Sequence, residues 1–447
     1  EYWVGTDDIG ATDSNPAGSS STSNNMVVVR KQEYDGNGDK KNGNLTKTTL
    51  YENASTTRVT TYLYDWRDRR TDLDGEVDLY EKYTYDNLDR LTLTERRNTT
   101  SGGALVWKRE VKYDKRGRIY QRILYPATGT QKLTEDLWYD QAQNVIKRRQ
   151  PGSAGFEKFL YDALGRLSKR YTAYGTDSTY GAVQNVSNNT VMRQEEFGYD
   201  DAGNRTRRLV RDRYHNESAS NLGELGTPTD SLRKARVTCV GYWPEGLGRP
   251  QAEADYGTNG IPNPWSWTRP DLIPATSSTV LVSRYAHEIT GELESVTVPS
   301  GTAGTQVTRR EYDQAGRLIR LLENYLSGQS GPDKNKTTEF EYTADGNLKK
   351  LRAKSTTPGD QVTEWIYGTT LTDSDVASNA LVRQKIYPDS TGASDRVYLK
   401  WNRQSEPREF LDQATTVHTL QYDKLGRLEH DRVTTLASGV DGAVRRL

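Results

Sequence analysis

The chain has 447 residues, with 61 Lys and Arg against 61 Asp and Glu, so its formal net charge is zero. It therefore lacks the basic excess that binds nucleic acid, and no stretch reaches the roughly 18 apolar residues of a membrane span. The hydrophobic fraction of 33% and the mean hydropathy of -0.88 are low for a compact globule and favour a sheet with one or both faces in water.

In chain order, the segment 1–33 comes first and contains a Ser- and Asn-rich loop. Two regions that carry a repeated phrase follow, at 34–238 and 285–432, and we expect both to be β-sheet. A Pro- and Trp-rich stretch at 239–284 separates them as an irregular repeat or insertion. The chain starts without Met, and its tail at 433–447 follows a repeat closely. We therefore expect a piece of a longer protein, with the tail truncated or leading into further chain.

The repeated phrase is Tyr-Asp, two variable residues, and then Gly-Arg-Leu. Alternating apolar residues precede each Tyr, which predicts a strand that ends there. The Asp can accept a hydrogen bond from the amide two residues on, and the Gly supplies the positive φ that closes a turn with a bulge. We take as structural turn residues Tyr113, Asp114, Gly117, Arg118, Tyr161, Asp162, Gly165, Arg166, Tyr199, Asp200, Gly203, Tyr312, Asp313, Gly316, Arg317, Tyr422, Asp423, Gly426 and Arg427.

Degenerate copies of the phrase fill the gaps between these turns. Asp68 and Asp89 stand where Gly is expected, and Asp is one of the few residues that adopt the left-handed region. Gln143 fits that position less well, and we expect its turn to be distorted. The sequence thus predicts an all-β fold, a long antiparallel sheet of repeated hairpins.

The phrase, its spacing and its degenerate copies, over roughly 34–432, resemble the YD-repeat or Rhs-repeat family. This family includes Rhs polymorphic toxin shells, wall-associated proteins, the Tc toxin C component and teneurins. The resemblance implies a sheet that spirals into a shell or extended β-ribbon, extracellular or at the bacterial cell surface. It also implies as partners other segments of the same longer chain or an enclosed effector polypeptide. The family's shell-closing segment, an Asp-Pro-x-Gly type signature with catalytic aspartates nearby for self-cleavage, has no match here.

Trp243, Trp265 and Trp267 form an aromatic group in the Pro-rich stretch. Exposed indoles there could stack on sugar rings or on a partner, so we keep all three as possible ligand contacts, with glycans as possible partners. The alternative, which we expect, is that they fill the sheet's interior or cover an edge.

The sequence contains few patterns typical of catalytic or metal-binding sites, and we predict no metal and no cofactor. Cys239, the single cysteine, lies between Thr238 and Val240 and is expected to be a buried strand thiol. Asp72 and Asp74 lie in a carboxylate-rich run that we interpret as solvated turn charge, with weak calcium binding as the alternative. A glycosidase hypothesis would also use these two residues.

Our leading prediction is a noncatalytic structural wall of a surface or secreted β-shell that encloses or carries a C-terminal effector. The alternative is a self-assembling filament or adhesin, in which open sheet edges join subunits and the Trp-rich stretch contacts glycans or neighbouring cells.

Overall fold

The fold is all-β. The computed structural model describes residues 1–19, 24–36, 42–76, 79–127, 132–177, 179–258, 267–301, 304–329, 331, 333–392, 395–437 and 439. Within them lie 29 strands and one short helix, and the predicted antiparallel sheet of repeated hairpins is confirmed. No helix of this described part has the length and apolar character needed to cross a membrane.

The first strands in chain order are β1 (Tyr2–Val4), β2 (Val27–Tyr34), β3 (Leu45–Tyr51), β4 (Thr57–Tyr64), β5 (Arg70–Gly75), β6 (Tyr80–Tyr85), β7 (Leu91–Arg97), β8 (Leu105–Tyr113), β9 (Ile119–Pro126) and β10 (Leu133–Tyr139). They are followed by β11 (Val145–Arg149), β12 (Gly155–Tyr161), β13 (Leu167–Tyr174), helix α1 (Tyr180–Val183), β14 (Thr190–Tyr199), β15 (Arg205–Arg213), β16 (Ala235–Pro244), β17 (Pro250–Asp255), β18 (Leu281–His287) and β19 (Leu293–Ser300). The remaining strands are β20 (Gly304–Tyr312), β21 (Leu318–Glu323), β22 (Lys336–Tyr342), β23 (Leu348–Ala353), β24 (Gln361–Thr369), β25 (Ser378–Ile386), β26 (Val397–Trp401), β27 (Pro407–Leu411), β28 (Val417–Tyr422) and β29 (Leu428–Thr435).

Strands that are neighbours in sequence pair antiparallel, as β12 and β13 illustrate. Their pairing runs from Gly155 opposite Tyr174 to Tyr161 opposite Leu167, and the register shifts just before Tyr161. Other repeats carry the same shift before the Tyr that ends their first strand, namely Tyr64, Tyr85, Tyr199, Tyr312 and Tyr422. The predicted hairpin with a turn and a bulge is therefore present along the chain.

The chain divides into two compact units. Unit 1 comprises Glu1–Glu110, Tyr125–Thr130 and Thr338–Leu447, and unit 2 comprises Val111–Leu124 and Gln131–Thr337. Each unit is described by itself below.

Unit 2 has apolar cores on one face of its strands. In β13, Tyr171 and Ala173 are buried while Thr172 is exposed, which is the alternation of a half-buried strand. Irregular segments pack on the buried face and contribute Val186, Leu225 and Trp267 to its cores. One core contains Phe156, Tyr171, Ala173, Val186, Val191, Leu225 and Ala235, and the other contains Leu209, Val237, Cys239, Trp243, Ala252, Ala254, Tyr256, Trp267 and Val282.

Cys239 is buried in β16, as expected, and this burial raises the pKa of its thiol to about 12. The thiol therefore stays protonated at neutral pH and packs as a small apolar group.

Candidate functional site

The repeat turns are the feature that recurs most, and the turn at Asp162 shows their geometry. The amide of Asp162 donates to the Arg166 carbonyl at 2.9 Å, and the Gly165 amide donates to the Asp162 carbonyl at 3.0 Å. Oδ1 of Asp162 accepts from the amides of Leu164 and Arg166 at 3.0 and 2.9 Å. Gly165 has a φ of 77°. The predicted Asp-started, Gly-closed turn is thus confirmed here.

The left-handed position recurs in the other turns. The residues that occupy it are Gly117 (φ 82°), Gly203 (88°), Gly316 (74°), Gly426 (78°), Asp68 (62°), Asp89 (61°) and Gln143 (74°). The expected distortion at Gln143 is wrong, because the turn retains its hydrogen bonds from Asp140 N to Asn144 O at 3.0 Å and from Gln143 N to Asp140 O at 3.3 Å. Those bonds hold Gln143 in a conformation that its side chain disfavours.

The contacts of the Arg in each turn explain why a cationic residue follows the Gly. Arg166 Nε donates to Asp162 Oδ2 at 2.8 Å, and its Nη1 donates to the Asp200 carbonyl of the next repeat at 3.0 Å. Its guanidinium also lies 4.7 Å from the centre of the Tyr199 ring. The hydrogen bonds from the Arg166 side chain and amide hold the pKa of Asp162 below its ordinary value. One guanidinium therefore fixes its own turn and contacts the next one.

The repeat Tyr links neighbouring hairpins in the opposite direction. The Tyr199 hydroxyl donates to the carbonyl of Leu167, the residue after the turn Arg of the preceding repeat, at 2.8 Å. The same bond is made by Tyr85 to Arg70 (2.9 Å), Tyr139 to Ile119 (2.6 Å), Tyr161 to Val145 (2.9 Å), Tyr312 to Leu293 (2.9 Å) and Tyr422 to Pro407 (2.7 Å). We call this bond the tyrosine link. It explains why the sequence keeps Tyr and not Phe at this position.

Sequence reasoning missed several members of this pattern. Tyr367 makes a tyrosine link to Leu348 at 2.8 Å, and Trp401 replaces Tyr by donating its Nε1 to the Val382 carbonyl at 2.7 Å. The turn after Trp401 uses Ser405 at a φ of 60°, and a later turn uses Thr415 at 70°. At the two turns closed by Ser405 and Thr415 the residue types have changed, so only the spacing of four residues from the last strand residue to the left-handed residue could have revealed them.

Unit 1 contains a polar cluster that joins residues far apart in sequence, which we call the seam. Arg58 donates from Nη1 and Nη2 to the two carboxylate oxygens of Glu406 at 2.8 and 2.6 Å, and from Nε to Glu52 at 2.6 Å. The Arg58 side chain is only 8% exposed. The hydrogen bond that Arg58 donates to Glu406 is the main cause that raises the pKa of Arg58. A bidentate, buried pair of this kind is a specific contact.

Hydrogen bonds to the backbone extend the seam. Gln404 Nε2 donates to the carbonyls of Val29 and Tyr51 at 2.7 and 2.6 Å. Lys424 Nζ donates to the Thr57 carbonyl at 2.7 Å. The turns after β26 and β28 are thereby held against the first strands of the same unit.

Two of the three predicted Trp residues, Trp243 and Trp267, lie inside unit 2. Trp243 and Trp267 are each 4% exposed, and the Trp243 Nε1 donates to the carbonyls of Pro270 and Asp271 at 3.1 and 3.2 Å. Trp267 packs edge-on against Tyr256 with ring centres 4.9 Å apart. Trp265 lies outside the described residues. Both described indoles contact protein in this structure, and a ligand contact through the Trp group stays a prediction.

Asp72 and Asp74 lie half-buried within strand β5, so their interpretation as solvated turn charge is wrong. Asp72 accepts a hydrogen bond from the Tyr80 hydroxyl, and burial, followed by this bond, raises the pKa of Tyr80 to about 12. Asp74 stands opposite Tyr80 in the sheet. In the described part of the chain, no group of three or more His, Cys, Asp and Glu residues has the arrangement of a metal site.

Comparisons with known proteins give distant structural neighbours. No family model and no curated protein matches the chain. The crystal structure of TcdB2-TccC3 without its hypervariable C-terminal region is 11% identical, with a TM-score of 0.39 over 89% of this chain and 22% of that one. The Photorhabdus luminescens Tc holotoxin pore is 10% identical, with a TM-score of 0.35 over 90% of this chain and 23% of that one. A porin-like protein from Bacteroides uniformis is 12% identical, with a TM-score of 0.22 over 66% of this chain and 94% of that one.

This chain thus spans less than a quarter of the length of these two toxin chains. The identities and TM-scores are too low to carry an inference about function.

Proposed function

We propose that this chain is a noncatalytic structural scaffold, the wall of a secreted or surface-displayed YD-repeat shell that encloses or carries another polypeptide. The observation that carries the scaffold role is the tyrosine link, repeated from hairpin to hairpin in both units. In the copies that make this bond, a side chain of the repeated phrase binds a backbone group of a neighbouring repeat. A motif whose polar groups are used in this way holds a sheet together.

The Arg side chains support the same role. Arg69, Arg118 and Arg166 each donate to the carbonyl of an Asp that starts the next turn, at 3.0, 3.1 and 3.0 Å. Each repeat is therefore bonded to its neighbour at the turn and along the strand. Nearest-neighbour contacts of this kind stabilise long repeat proteins, because each unit adds a similar interface.

The cargo part of the proposal rests on the resemblance of the repeated phrase to YD-repeat shells. Its partners would be further segments of the same longer chain or an effector polypeptide held by the wall. The surface location has the same basis.

The experiment is cryo-electron microscopy of the native protein isolated without truncation, with intact mass measured on the same sample. Hollow particles with internal density, and a mass above the 50.5 kDa of this chain, are the expected result. Digestion by a protease should then spare the internal polypeptide until the wall is denatured. Fibres with a repeat of one chain would contradict the shell and support the filament alternative. Particles without additional polypeptide would contradict the cargo part of the proposal.

A further inference from the structure

Unit 2 contains a buried cluster of Lys158, Asp177 and Asn189 that the scaffold role does not require. Lys158 lies in β12, whereas Asp177 and Asn189 belong to the connection between β13 and β14, whose segment 179–189 covers the buried face of this unit and contributes Val186 to the core. Lys158 is 1% exposed, Asn189 is 0% exposed and the Asp177 side chain is 1% exposed. Charged groups this deep are uncommon unless they have partners or a chemical role.

The amine of Lys158 is held against the Asn189 amide. Nζ lies 2.7 Å from Oδ1 of Asn189. The carbonyl carbon Cγ, which a nucleophile would attack, is bonded directly to that oxygen. Nζ also donates to the carbonyls of Ala182 at 2.7 Å and Asn185 at 2.5 Å. These carbonyls fix the amine in place. Reacting groups held at contact distance in this way react as if at very high local concentration.

Asp177 touches both other members of the cluster through one oxygen. Its Oδ1 lies 3.0 Å from Lys158 Nζ and 3.0 Å from Asn189 Nδ2. A carboxylate between an amine and an amide nitrogen can take a proton from the first and give it to the second. The three side chains therefore hold a nucleophile, an electrophile and a proton carrier in contact.

The surroundings favour a reactive amine. Burial lowers the pKa of Lys158, whereas the hydrogen bond and charge of Asp177 raise it. The charge of Lys147 lowers this pKa further, and the net shift is downward. Burial alone would raise the pKa of Asp177, but hydrogen bonds from Lys147, Asn189 and Lys158 outweigh it and hold this pKa below its ordinary value. Asp177 is therefore an ionised carboxylate before the reaction, and its Oδ1 lies at hydrogen-bond distance from the amine. The Phe156 ring, 4% exposed and with its centre 5.4 Å from Nζ, forms an apolar wall.

We propose that Lys158 and Asn189 form an intramolecular isopeptide bond, with Asp177 transferring the protons. The arrangement seen here is that of the reactants.

The reaction needs no oxidant, reductant or co-reactant. Asp177 removes one proton from the Lys158 ammonium, and the neutral Nζ attacks Cγ of Asn189. The Nζ–Cγ bond forms and the Cγ–Nδ2 bond breaks, with Asp177 delivering its proton to Nδ2 so that ammonia leaves. A second Nζ proton passes to Asp177 and departs with the ammonia as ammonium, and the third stays on the new amide.

The bond would tie the covering segment covalently to β12. A cross-link between these positions removes freedom from the unfolded chain, as a disulfide does. The segment that covers the apolar core of unit 2 would then stay attached to the sheet under mechanical or thermal load.

The test is the intact mass of the denatured full-length chain, followed by peptide mapping. We expect a mass below the sequence mass by one ammonia molecule and a branched peptide joining Lys158 to Asn189. Lys158→Met and Asn189→Ala should restore the full sequence mass. Asn188→Ala is the matched control, because Asn188 is the exposed neighbour of Asn189, and this variant should still lose ammonia.

Asp177→Asn separates proton transfer from packing. The variant keeps both reacting groups, and we expect bond formation to slow by roughly 10²-fold or more, the usual contribution of a general acid–base group. A wild-type mass equal to the sequence mass, or full bond formation in Asp177→Asn, would overturn the corresponding part of the proposal. These masses are read on denatured protein, so a variant that folds poorly does not obscure the wild-type result.

Discussion

Unit 2 and unit 1 are stabilised by different kinds of buried contact. Unit 2 buries apolar side chains in two clusters, because segments that connect its strands, such as 179–189, cover one face of the strands. Unit 1 has no cluster of this kind among its described residues, and its sequence-distant contacts are the polar ones of the seam around Arg58 and Glu406. The repeat turns are common to both units. The comparison indicates that the repeated phrase builds the sheet in both units, whereas the covering segments of unit 2 and the seam of unit 1 determine how each unit is held together.

Removing an indole from the unit 2 core should have the largest effect. Trp243→Ala deletes a 4% exposed side chain, and a substitution of this type costs about 3–5 kcal/mol. We expect faster hydrogen exchange throughout the core strands of unit 2 and little change in unit 1, as measured by mass spectrometry. Trp66→Ala is the control, since Trp66 is 81% exposed and its loss should cost no more than about 0.5 kcal/mol. Equal exchange in the two variants would contradict the assigned core.

Breaking the seam should have a somewhat smaller effect, confined to unit 1. Arg58→Met leaves the Glu406 and Glu52 carboxylates without their cation, and the loss of one partner of a buried pair costs about 3 kcal/mol. We expect faster exchange in β3, β4 and β27 while unit 2 stays protected. The control is Arg427→Met, which removes an Arg with a 69% exposed side chain and should cost at most about 1 kcal/mol. Faster exchange in unit 2 would show that the seam is not local to unit 1.

The hairpin content was predictable from the sequence because the turn is a local structure. Asp162, Gly165 and Arg166 contact one another within five consecutive residues, so their spacing reveals the turn. The seam was not predictable, since Arg58 and Glu406 are 348 residues apart and nothing in their local sequence distinguishes them from other charged residues. The same holds for Lys158, which the sequence does not distinguish from other lysines in strands. Only the folded chain places Asp177 and Asn189 beside it.

A third variant separates backbone conformation from packing within a turn. Gly165 has a φ of 77°, and a Cβ added there would meet nothing within 4 Å. Gly165→Val should therefore cost about 1–3 kcal/mol through backbone strain alone. Gly316 is a less clean site, because a Cβ there would lie 2.9 Å from Oε1 of Glu292. Gly165→Asn is the control and should be tolerated better, since Asn adopts the left-handed region more easily. Unchanged thermal unfolding in Gly165→Val would contradict the turn geometry.

The smallest expected effect is on the pH dependence of stability. It tests whether the charge of the Asp162 carboxylate, in a type of turn that both units share, contributes to stability. The pKa of Asp162 is lowered in the folded chain from its ordinary value of 3.8, first by the hydrogen bond from the Arg166 side chain. A lowered pKa means that this group stabilises the fold fully above the ordinary value, and that the contribution is lost as the pH falls through the folded value.

The measurement is the thermal midpoint of wild type and Asp162→Asn as a function of pH. We expect the wild type to be the more stable near neutral pH, and the gap to narrow once the pH falls below 3.8. Asn cannot ionise, so it can still accept from the turn amides but lacks the negative charge that pairs with Arg166. Asp201→Asn is the control, because Asp201 is exposed beside the turn at Asp200 and its variant should follow the wild type. A gap that stays constant with pH would mean that shape and hydrogen bonding, not charge, select Asp in the repeated phrase.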